Sequence, residues 1–241
     1  MDSVYKDEFS ISDLQCDRFG RLKPSAICWL VQEMAGRHCL QLGLDWQSLA
    51  KRGMFWAILR HSIQVTRLPE KDETIYVETW PMPTTRVAFP RNVVAFDTEG
   101  KELFRTISIW VLMDMEKRSM ILPGKSGVEV PGVLLGGELP VPGSLAPKTP
   151  ENRQTRPVRF TDLDLNGHMN NCRYLDWAAD LLPSDFHQDH SLRSATLGYL
   201  AEAKEGDAMD LSFGLQEDGG MDLEILRQGQ RIFAAALLFT K

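Results

Sequence analysis

The first half of the chain contains a stretch of helical periodicity. Apolar side chains recur there at the i, i+3, i+4, i+7, i+8 and i+11 spacing, which puts them on one face of a helix. Pro24 suits the first turn and Gly43 suits the end, so we predict a helix over residues 24–43. The apolar face carries Ile27, Leu30, Val31, Met34, Ala35 and His38.

Long runs with a period of two follow this helix. Leu59, His61 and Ile63 alternate with polar residues, which predicts a strand with one buried face. The second half repeats the order of one strand, one helix and four strands. The predicted strands cover residues 4–11, 54–68, 73–80, 86–98 and 101–115, then 155–160, 192–201, 207–216, 221–228 and 231–240. The second helix is predicted over residues 169–182, ending before a proline.

A segment rich in turn-forming residues separates the two halves. Residues 123–152 contain six prolines and six glycines, which predicts a linker. We therefore predict an N-terminal repeat at residues 1–122 and a C-terminal repeat at residues 153–241.

A local similarity supports duplication. Residues 17–22 align with residues 164–169 at an offset of 147, and the same offset places Ile27 on Tyr174 and Leu30 on Trp177. An antiparallel sheet with one apolar face needs a covering layer, and one helix per repeat supplies it. The pattern predicts an α+β fold: a tandem, or double, hotdog in which each repeat wraps a sheet around a long helix.

Composition and charge narrow the class of protein. The 241 residues are 43% apolar and carry a formal net charge of −6, which disfavours nucleic acid as a partner. The longest apolar runs span eight residues, whereas a bilayer-spanning helix needs ~20. The acidic N-terminal segment has no apolar signal core, so we expect a cytoplasmic protein with four reduced cysteines and no transmembrane segment.

The most informative segment lies between the linker and the second helix. Asp164, Asn166 and His168 alternate there, so an extended backbone aims a carboxylate, an amide and an imidazole at one volume. These groups supply a base, a donor for a carbonyl oxygen and a proton-handling ring, which addition of water to an acyl carbon requires. A helix beginning near Met169 would add free N–H groups for an oxyanion. The alternative interpretation is a loop that leads into the helix, with Asn170 or Asp164 as its cap.

The corresponding loop of the first repeat keeps the aspartate but differs at the other two positions. Asp17 and Gly20 are retained, whereas Phe19 and Arg21 stand at the positions of Asn166 and His168. Only the second repeat therefore carries the complete set of chemical groups.

The segment DLDLNGHMNNCRYLDW at residues 162–177 resembles the signature of the acyl-acyl carrier protein thioesterases, the plant and bacterial enzymes that terminate fatty acid synthesis. Further matching segments fall in the family's order at residues 54–60, 74–80, 107–113 and 197–202. The resemblance implies a tandem hotdog fold. It also implies hydrolysis of the thioester of fatty acyl-acyl carrier protein to free acid and carrier thiol, without a cofactor or metal.

The resemblance also implies roles for individual residues. Asp164 matches the family's essential aspartate, either a general base or a nucleophile, and Asn166 and His168 match the residues that hold the thioester carbonyl and orient the carboxylate. Glu202 matches a glutamate assigned to water activation. The family often has a cysteine directly after that glutamate, whereas this chain has Ala203, so we favour carboxylate chemistry.

Two other site chemistries remain open at the sequence level. Cys172 lies four residues after His168 and could share its helix face as a Cys–His pair. A metal site would use Asp162, Asp164 and His168, although one imidazole makes a poor zinc set.

The N-terminal repeat is expected to bind the acyl chain, because an apolar chain needs concave apolar walls. Candidate wall residues lie on the first helix and the following strand, and Arg91 is interpreted as structural. The candidates are Ile27, Leu30, Val31, Met34, Phe55, Trp56 and Ile58.

The expected partner is acyl carrier protein bearing a fatty acyl-phosphopantetheine, and a homodimer remains open. Because carrier proteins are acidic, a basic docking patch is expected. The sequence offers Arg153, Arg156, Arg159 and Arg173. Alternatives are an acyl-CoA thioesterase on the same fold, a non-catalytic acyl-binding module and a hotdog dehydratase.

Overall fold

A computed structural model describes residues 3–241; the first two residues of the acidic N-terminal segment lie outside the described part. One antiparallel sheet of eleven strands dominates it. The first-half elements are β1 (Tyr5–Ser10), α1 (Pro24–Gln41), α2 (Trp46–Ala50), β2 (Met54–Val65), β3 (Thr74–Pro81), β4 (Phe89–Phe96), β5 (Glu102–Asp114), β6 (Met120–Ile121) and α3 (Pro123–Ser126). The second-half elements are β7 (Asn152–Pro157), α4 (Arg173–Asp180), α5 (Ser184–Asp189), β8 (Ser191–Tyr199), β9 (Ala208–Leu215), β10 (Gly220–Arg227) and β11 (Gln230–Thr240).

The strand order joins the two halves through their central strands. The order is β1-β3-β4-β5-β2-β8-β11-β10-β9-β7, with β6 paired to β5. At the junction, β2 pairs antiparallel with β8, and Ser62 faces Thr196. Each of these strands is the first one after the long helix of its repeat, so the junction joins equivalent strands of the two repeats. The α+β architecture predicted from alternation and periodicity is confirmed.

One hydrophobic core serves both repeats. The helices α1 and α4 pack against each other and against the concave face of the sheet. Leu30 and Met34 of α1, Trp177 of α4, Phe104 of β5 and Phe233 of β11 are fully buried in this single cluster. The periodic apolar face predicted for the first helix is therefore the face that contacts the shared core.

The second helix differs from its prediction at both ends. It begins at Arg173 rather than Met169 and ends at Asp180, and the Asn170 side chain closes a turn before it by accepting from the Cys172 N–H (2.9 Å). A separate helix, α5, follows the break at Pro183 and was not predicted.

The Gly- and Pro-rich segment is anchored along the outer face of the sheet. Arg60 donates to the carbonyl of Pro142 (3.1 Å), and Arg231 donates to that of Leu145 (2.8 Å). At Gly132 the backbone passes so near the strand end that a Cβ atom would lie 2.3 Å from the Met82 oxygen. Two elements fall within the predicted linker: α3 at its start and the first residue of β7 at its end. The division at residues 123–152 stays a prediction.

No helix within residues 3–241 is both long enough and apolar enough to span a membrane.

The β2–β8 junction yields a stability prediction. Leu197 of β8 is fully buried there, opposite His61. Leu197→Ala should lower the free energy of unfolding by about 2–5 kcal/mol, because it opens a cavity in the shared core. The matched control is Leu14→Ala, whose side chain is 88% exposed and should change it by less than about 0.5 kcal/mol. Equal urea midpoints for the two variants would contradict the role given to the junction.

Candidate active site

The loop that follows β7 is held together by one carboxylate. The Asp164 N–H donates to the His168 carbonyl (2.8 Å), and the Gly167 N–H donates to the Asp164 carbonyl (3.0 Å). Asp164 Oδ1 accepts from the N–H groups of Asn166 (2.8 Å) and His168 (3.2 Å). Gly167 has φ +73°, a left-handed conformation that glycine adopts without steric cost. Asp164 Oδ2 accepts from Asn166 Nδ2 (3.4 Å), so the loop also directs the amide.

Backbone contacts bring Glu202 against this loop. The Met169 N–H donates to the Ala203 carbonyl (2.8 Å), and His168 forms an isolated antiparallel bridge with Lys204. As a result, His168 Nε2 lies 3.3 Å from Glu202 Oε2. The sequence separates these two residues by 34 positions, and only the fold unites them.

All four sequence-predicted site residues line one cavity of about 360 Å³. Its other walls come from β2 of the first repeat and from the ends of β5 and β8. These walls include Phe55, Trp56, Ile58, Leu59, Met113, Arg118, Tyr174 and Tyr199. The sequence reasoning missed Arg118, which forms an ion pair with Glu202. No local motif marks it, because the two residues are 84 positions apart.

The first repeat contains the same loop without the same side chains. The Gly20 N–H donates to the Asp17 carbonyl (3.0 Å), and Asp17 Oδ1 accepts from the N–H groups of Phe19 (2.8 Å) and Arg21 (3.1 Å). Each bond corresponds to one around Asp164 at the offset of 147. The carboxylate therefore has a structural role in both repeats, and the difference between them lies in the residues around it.

A second correspondence concerns Glu202. The Leu22 N–H donates to the Pro69 carbonyl (2.7 Å), as the Met169 N–H does to Ala203. By this register, buried Leu68 stands where Glu202 stands in the second repeat. The first repeat thus has neither the imidazole nor the second carboxylate.

Arg21, at the position of His168, ties the repeats together. Its guanidinium pairs with Asp17 (3.2 Å), donates to Ser191 Oγ (3.0 Å) and contacts the His187 carbonyl. The surrounding cavity of about 480 Å³ also contains two of the four arginines predicted to dock a carrier. Arg156 pairs there with Asp180 (2.6 Å), and Arg173 with Asp176 (3.0 Å). These arginines line this counterpart cavity in the first repeat and not the 360 Å³ cavity that contains Asp164, the candidate catalytic cavity, because sequence proximity does not fix which side of the loop they occupy.

The predicted oxyanion site at Met169 is wrong. The helix begins only at Arg173, and the Met169 N–H is bonded to Ala203. The Asn170 N–H donates to the Asp162 carbonyl (2.8 Å). The backbone donors expected to face a substrate are therefore used inside the loop. Side-chain amides remain at the cavity, which Asn166 and Asn171 both line.

The two alternative site chemistries find little support in the geometry. Cys172 is buried, burial raises its pKa to about 12, and His168 lies in the loop and not on the same helix face. Asp162 accepts from the Arg159 N–H (2.9 Å) and from Trp177 Nε1 (3.3 Å). Across residues 3–241, no cluster of three His, Cys, Asp or Glu side chains is arranged to hold a metal ion.

An apolar cavity of about 580 Å³ adjoins the catalytic cavity and shares Trp56 and Asn166 with it. It lies beside α1 and includes Ala35, Gly36, Cys39, Leu42, Leu44, Trp46, Phe89 and Trp110. Of the predicted wall residues, Trp56 lines this cavity, and an acyl-binding role for them stays a prediction. Ile27, Leu30, Val31 and Met34 belong to the shared core, whereas Phe55 and Ile58 line the catalytic cavity.

A buried cation lies in the wall of the apolar cavity. Arg91 Nη1 donates to Thr79 Oγ1 (3.2 Å) and lies 3.1 Å from His38 Nδ1. Burial lowers the pKa of Arg91, although a guanidinium remains charged in proteins. These contacts join β4 to β3 and α1, in line with the structural interpretation.

Comparisons with known proteins agree along the chain. Residues 2–122 match the model of the acyl-ACP thioesterase N-terminal domain, and residues 145–241 match that of the C-terminal domain. A palmitoyl-acyl carrier protein thioesterase of Cuphea hookeriana is 25% identical over 233 residues, which cover 90% of this chain and 56% of that protein. An oleoyl-acyl carrier protein thioesterase of Coriandrum sativum is 25% identical over 239 residues, covering 86% and 61%. The chain thus spans little more than half the length of these curated relatives.

Solved structures share the fold. An acyl-ACP thioesterase from Bacteroides thetaiotaomicron superimposes with a TM-score of 0.90 at 22% identity, covering 99% of this chain and 98% of that one. A 12:0-ACP thioesterase from Umbellularia californica gives a TM-score of 0.83 at 21% identity, covering 100% and 98%. The tandem hotdog fold is confirmed.

The buried thiol yields a prediction about reactivity. Cys172 should react with iodoacetamide at pH 8 roughly a thousandfold more slowly in the native protein than after unfolding in urea, because a thiol with a pKa near 12 has little thiolate at that pH. Mass spectrometry of the peptide containing Cys172 measures both rates. Rapid labelling of the native protein would restore the thiol as a candidate nucleophile.

Proposed function

The chain belongs to the acyl-ACP thioesterase family, and on that premise we propose that it hydrolyses the thioester of fatty acyl-acyl carrier protein. One observation carries the proposal: the cavity that contains Asp164, Asn166, His168 and Glu202 adjoins an apolar cavity of about 580 Å³. A thioester at the boundary would have chemical groups on one side and room for an acyl chain on the other.

The proposed reaction adds water to the acyl carbon. The Asn166 amide donates to the thioester carbonyl oxygen, which gains negative charge as water attacks. The site's carboxylates and imidazole take the proton from water and return it to the leaving sulfur, so that the carbon–sulfur bond breaks and free acid forms. No cofactor is needed for this balance.

The contacts of Asp164 and Glu202 support a different role for each carboxylate. Asp164 Oδ1 is held by two backbone N–H groups, which supports Oδ2 as the oxygen that meets the substrate or water. Glu202 contacts His168 directly, which supports a role in proton transfer. Water activation by Asp164 remains an alternative to direct attack by it.

The partner is proposed to approach across β2 and β8. A groove of about 170 Å³ shares Leu59, Tyr199 and Leu200 with the catalytic cavity and contains Arg60 and Arg231. Both arginines also donate to carbonyls of the Gly- and Pro-rich segment, and Arg231 pairs with Glu224, so Arg60 is the cation without an ion-pair partner among the contacts described that would suit an acidic carrier protein. The homodimer and the cytoplasmic location stay predictions, and the names of the plant relatives describe those proteins as chloroplastic.

The duplicated loop supplies the test of this function. Asp164→Asn keeps an oxygen for the two backbone donors, so the loop should persist while the carboxylate chemistry is lost. We expect kcat/KM for thiol release from acyl carrier protein to fall at least about 100-fold. The matched control is Asp17→Asn, which makes the same change in the first repeat and should stay within about threefold of wild type. Equal activities of the two variants would contradict the assignment of Asp164.

The same assay separates the alternatives. Faster hydrolysis of the same acyl group on coenzyme A than on carrier protein would favour an acyl-CoA thioesterase. Stoichiometric binding without thiol release would favour a binding module, and an enoyl product would indicate a dehydratase.

The apolar cavity yields a prediction about acyl length. Gly36 lies within α1 and lines this cavity, and a Cβ atom at this position would have no neighbouring atom within 4 Å. Gly36→Leu should therefore fill the cavity and shift the preferred substrate to shorter chains, while helix stability rises by up to about 1 kcal/mol. The control, Gln41→Leu, changes an exposed residue at the end of α1. An unchanged length profile in Gly36→Leu would exclude this cavity as the acyl site.

A further inference from the structure

The turn between β5 and β6 projects one arginine across the boundary between the repeats. Asp114 Oδ1 accepts from the N–H groups of Glu116 (3.0 Å) and Lys117 (2.8 Å), which closes the turn. Arg118 follows with φ +52°, a left-handed conformation that residues other than glycine rarely adopt. The surrounding hydrogen bonds hold the residue in this unfavourable conformation, from which its side chain reaches the second repeat.

The Arg118 guanidinium is held by two contacts. Its Nη2 atom forms an ion pair with Glu202 Oε1, and its central carbon lies 4.8 Å from the ring centroid of Phe55. Phe55 belongs to β2 and lines the catalytic cavity. A cation over an aromatic face gains electrostatic attraction, so the ring fixes the direction from which the guanidinium approaches Glu202.

The two oxygens of Glu202 have different partners. Oε1 faces Arg118, whereas Oε2 lies 3.3 Å from His168 Nε2. The 3.3 Å separation is an ion-pair distance, and because an ionised carboxylate only accepts hydrogen bonds, a hydrogen bond between these two atoms would use a proton on Nε2 of His168. The Nδ1 atom of a neutral His168 is then the acceptor. Arg118 in the turn therefore contacts Glu202, and Glu202 contacts the imidazole of His168.

We propose that Arg118 is a positioning residue for hydrolysis: it fixes the Glu202 carboxylate, which in turn holds His168 in one tautomer and one direction. This inference rests on the proposed function of the cavity. It gives the first repeat a part in the chemistry besides binding the chain. The counterpart position of Glu202 in the first repeat is Leu68, so the arrangement belongs to the catalytic cavity alone.

Two other roles are distinguishable from positioning. An ion pair whose side chains are 42% and 44% exposed could be a surface contact of little energetic consequence. A cation at the cavity could instead bind the phosphate of the carrier's prosthetic group. The first role predicts no kinetic effect, and the second predicts an effect that depends on the carrier.

The experiment compares Arg118→Met with Arg118→Lys on two substrates. One substrate is acyl carrier protein, and the other carries the same acyl group on N-acetylcysteamine, which has neither phosphate nor protein. Positioning predicts that Arg118→Met lowers kcat about tenfold or more on both substrates with KM nearly unchanged, and that Arg118→Lys recovers part of the loss. The matched control is Arg18→Met, which also removes an arginine lying over a phenylalanine ring, 5.3 Å from Phe19, and should retain wild-type kinetics.

A spectroscopic readout does not depend on turnover. The ¹⁵N signals of His168, assigned with a His168→Gln variant, should report one Nε2-protonated tautomer in wild type and a mixture in Arg118→Met. A loss confined to KM for acyl carrier protein would overturn positioning in favour of phosphate binding. Unchanged kinetics and unchanged ¹⁵N signals would reduce the contact to a surface ion pair. If wild type hydrolyses neither substrate, the proposed function fails, whereas the ¹⁵N comparison still decides whether Arg118 orients His168.

Discussion

The pairing of β2 with β8 is the constraint on which the rest of the structure depends. Antiparallel hydrogen bonds across this junction join the strands of the two repeats into one sheet. They also place the wall formed by Phe55 next to the loop that carries His168. Neither repeat alone encloses the catalytic cavity: the first supplies walls and Arg118, and the second supplies the loop and Glu202. A register shift of one residue at this junction would turn every side chain of β2 to the other face and dismantle the cavity.

The duplicated loop explains why one motif residue says less about chemistry than its neighbours do. Asp17 and Asp164 accept the same backbone hydrogen bonds, so a carboxylate is useful at this position whether or not a reaction occurs there. The neighbouring side chains differ in chemical character: Phe19 aligns with Asn166, and Arg21 aligns with His168. A functional interpretation of such a motif is therefore strongest when it depends on side chains that do not bond the loop backbone.

Local patterns predicted most of the fold, whereas contacts between residues far apart in the sequence were not predictable. Alternation around His61 located β2 because burial on one face imposes a period of two, and turn residues located the segment over the outer face. The predicted start of α4 is four residues too early because the turn that Asn170 closes before the helix is a local loop conformation, which periodicity does not reveal. Arg118 was missed because it meets Glu202 only through the fold. Apolar periodicity found the α1 face that meets the core, whereas Gly36 and Cys39, which line the apolar cavity, lie outside that pattern.

The sequence distance between equivalent residues of the two repeats changes along the chain, and this change bears on redesign of the first loop. Leu22 corresponds to Met169 at an offset of 147, whereas their acceptors Pro69 and Ala203 correspond at an offset of 134, so the second repeat has thirteen fewer residues between its loop and the end of its central strand. In the first repeat that stretch contains Leu42, Leu44 and Trp46, which wall the apolar cavity. The two clefts thus differ in the length of the neighbouring segment as well as in side chains. Grafting an amide, an imidazole and a carboxylate beside Asp17 would recreate the reacting groups next to a cavity lined by charged residues such as Arg156 and Asp180, and not next to the apolar cavity that adjoins Asn166.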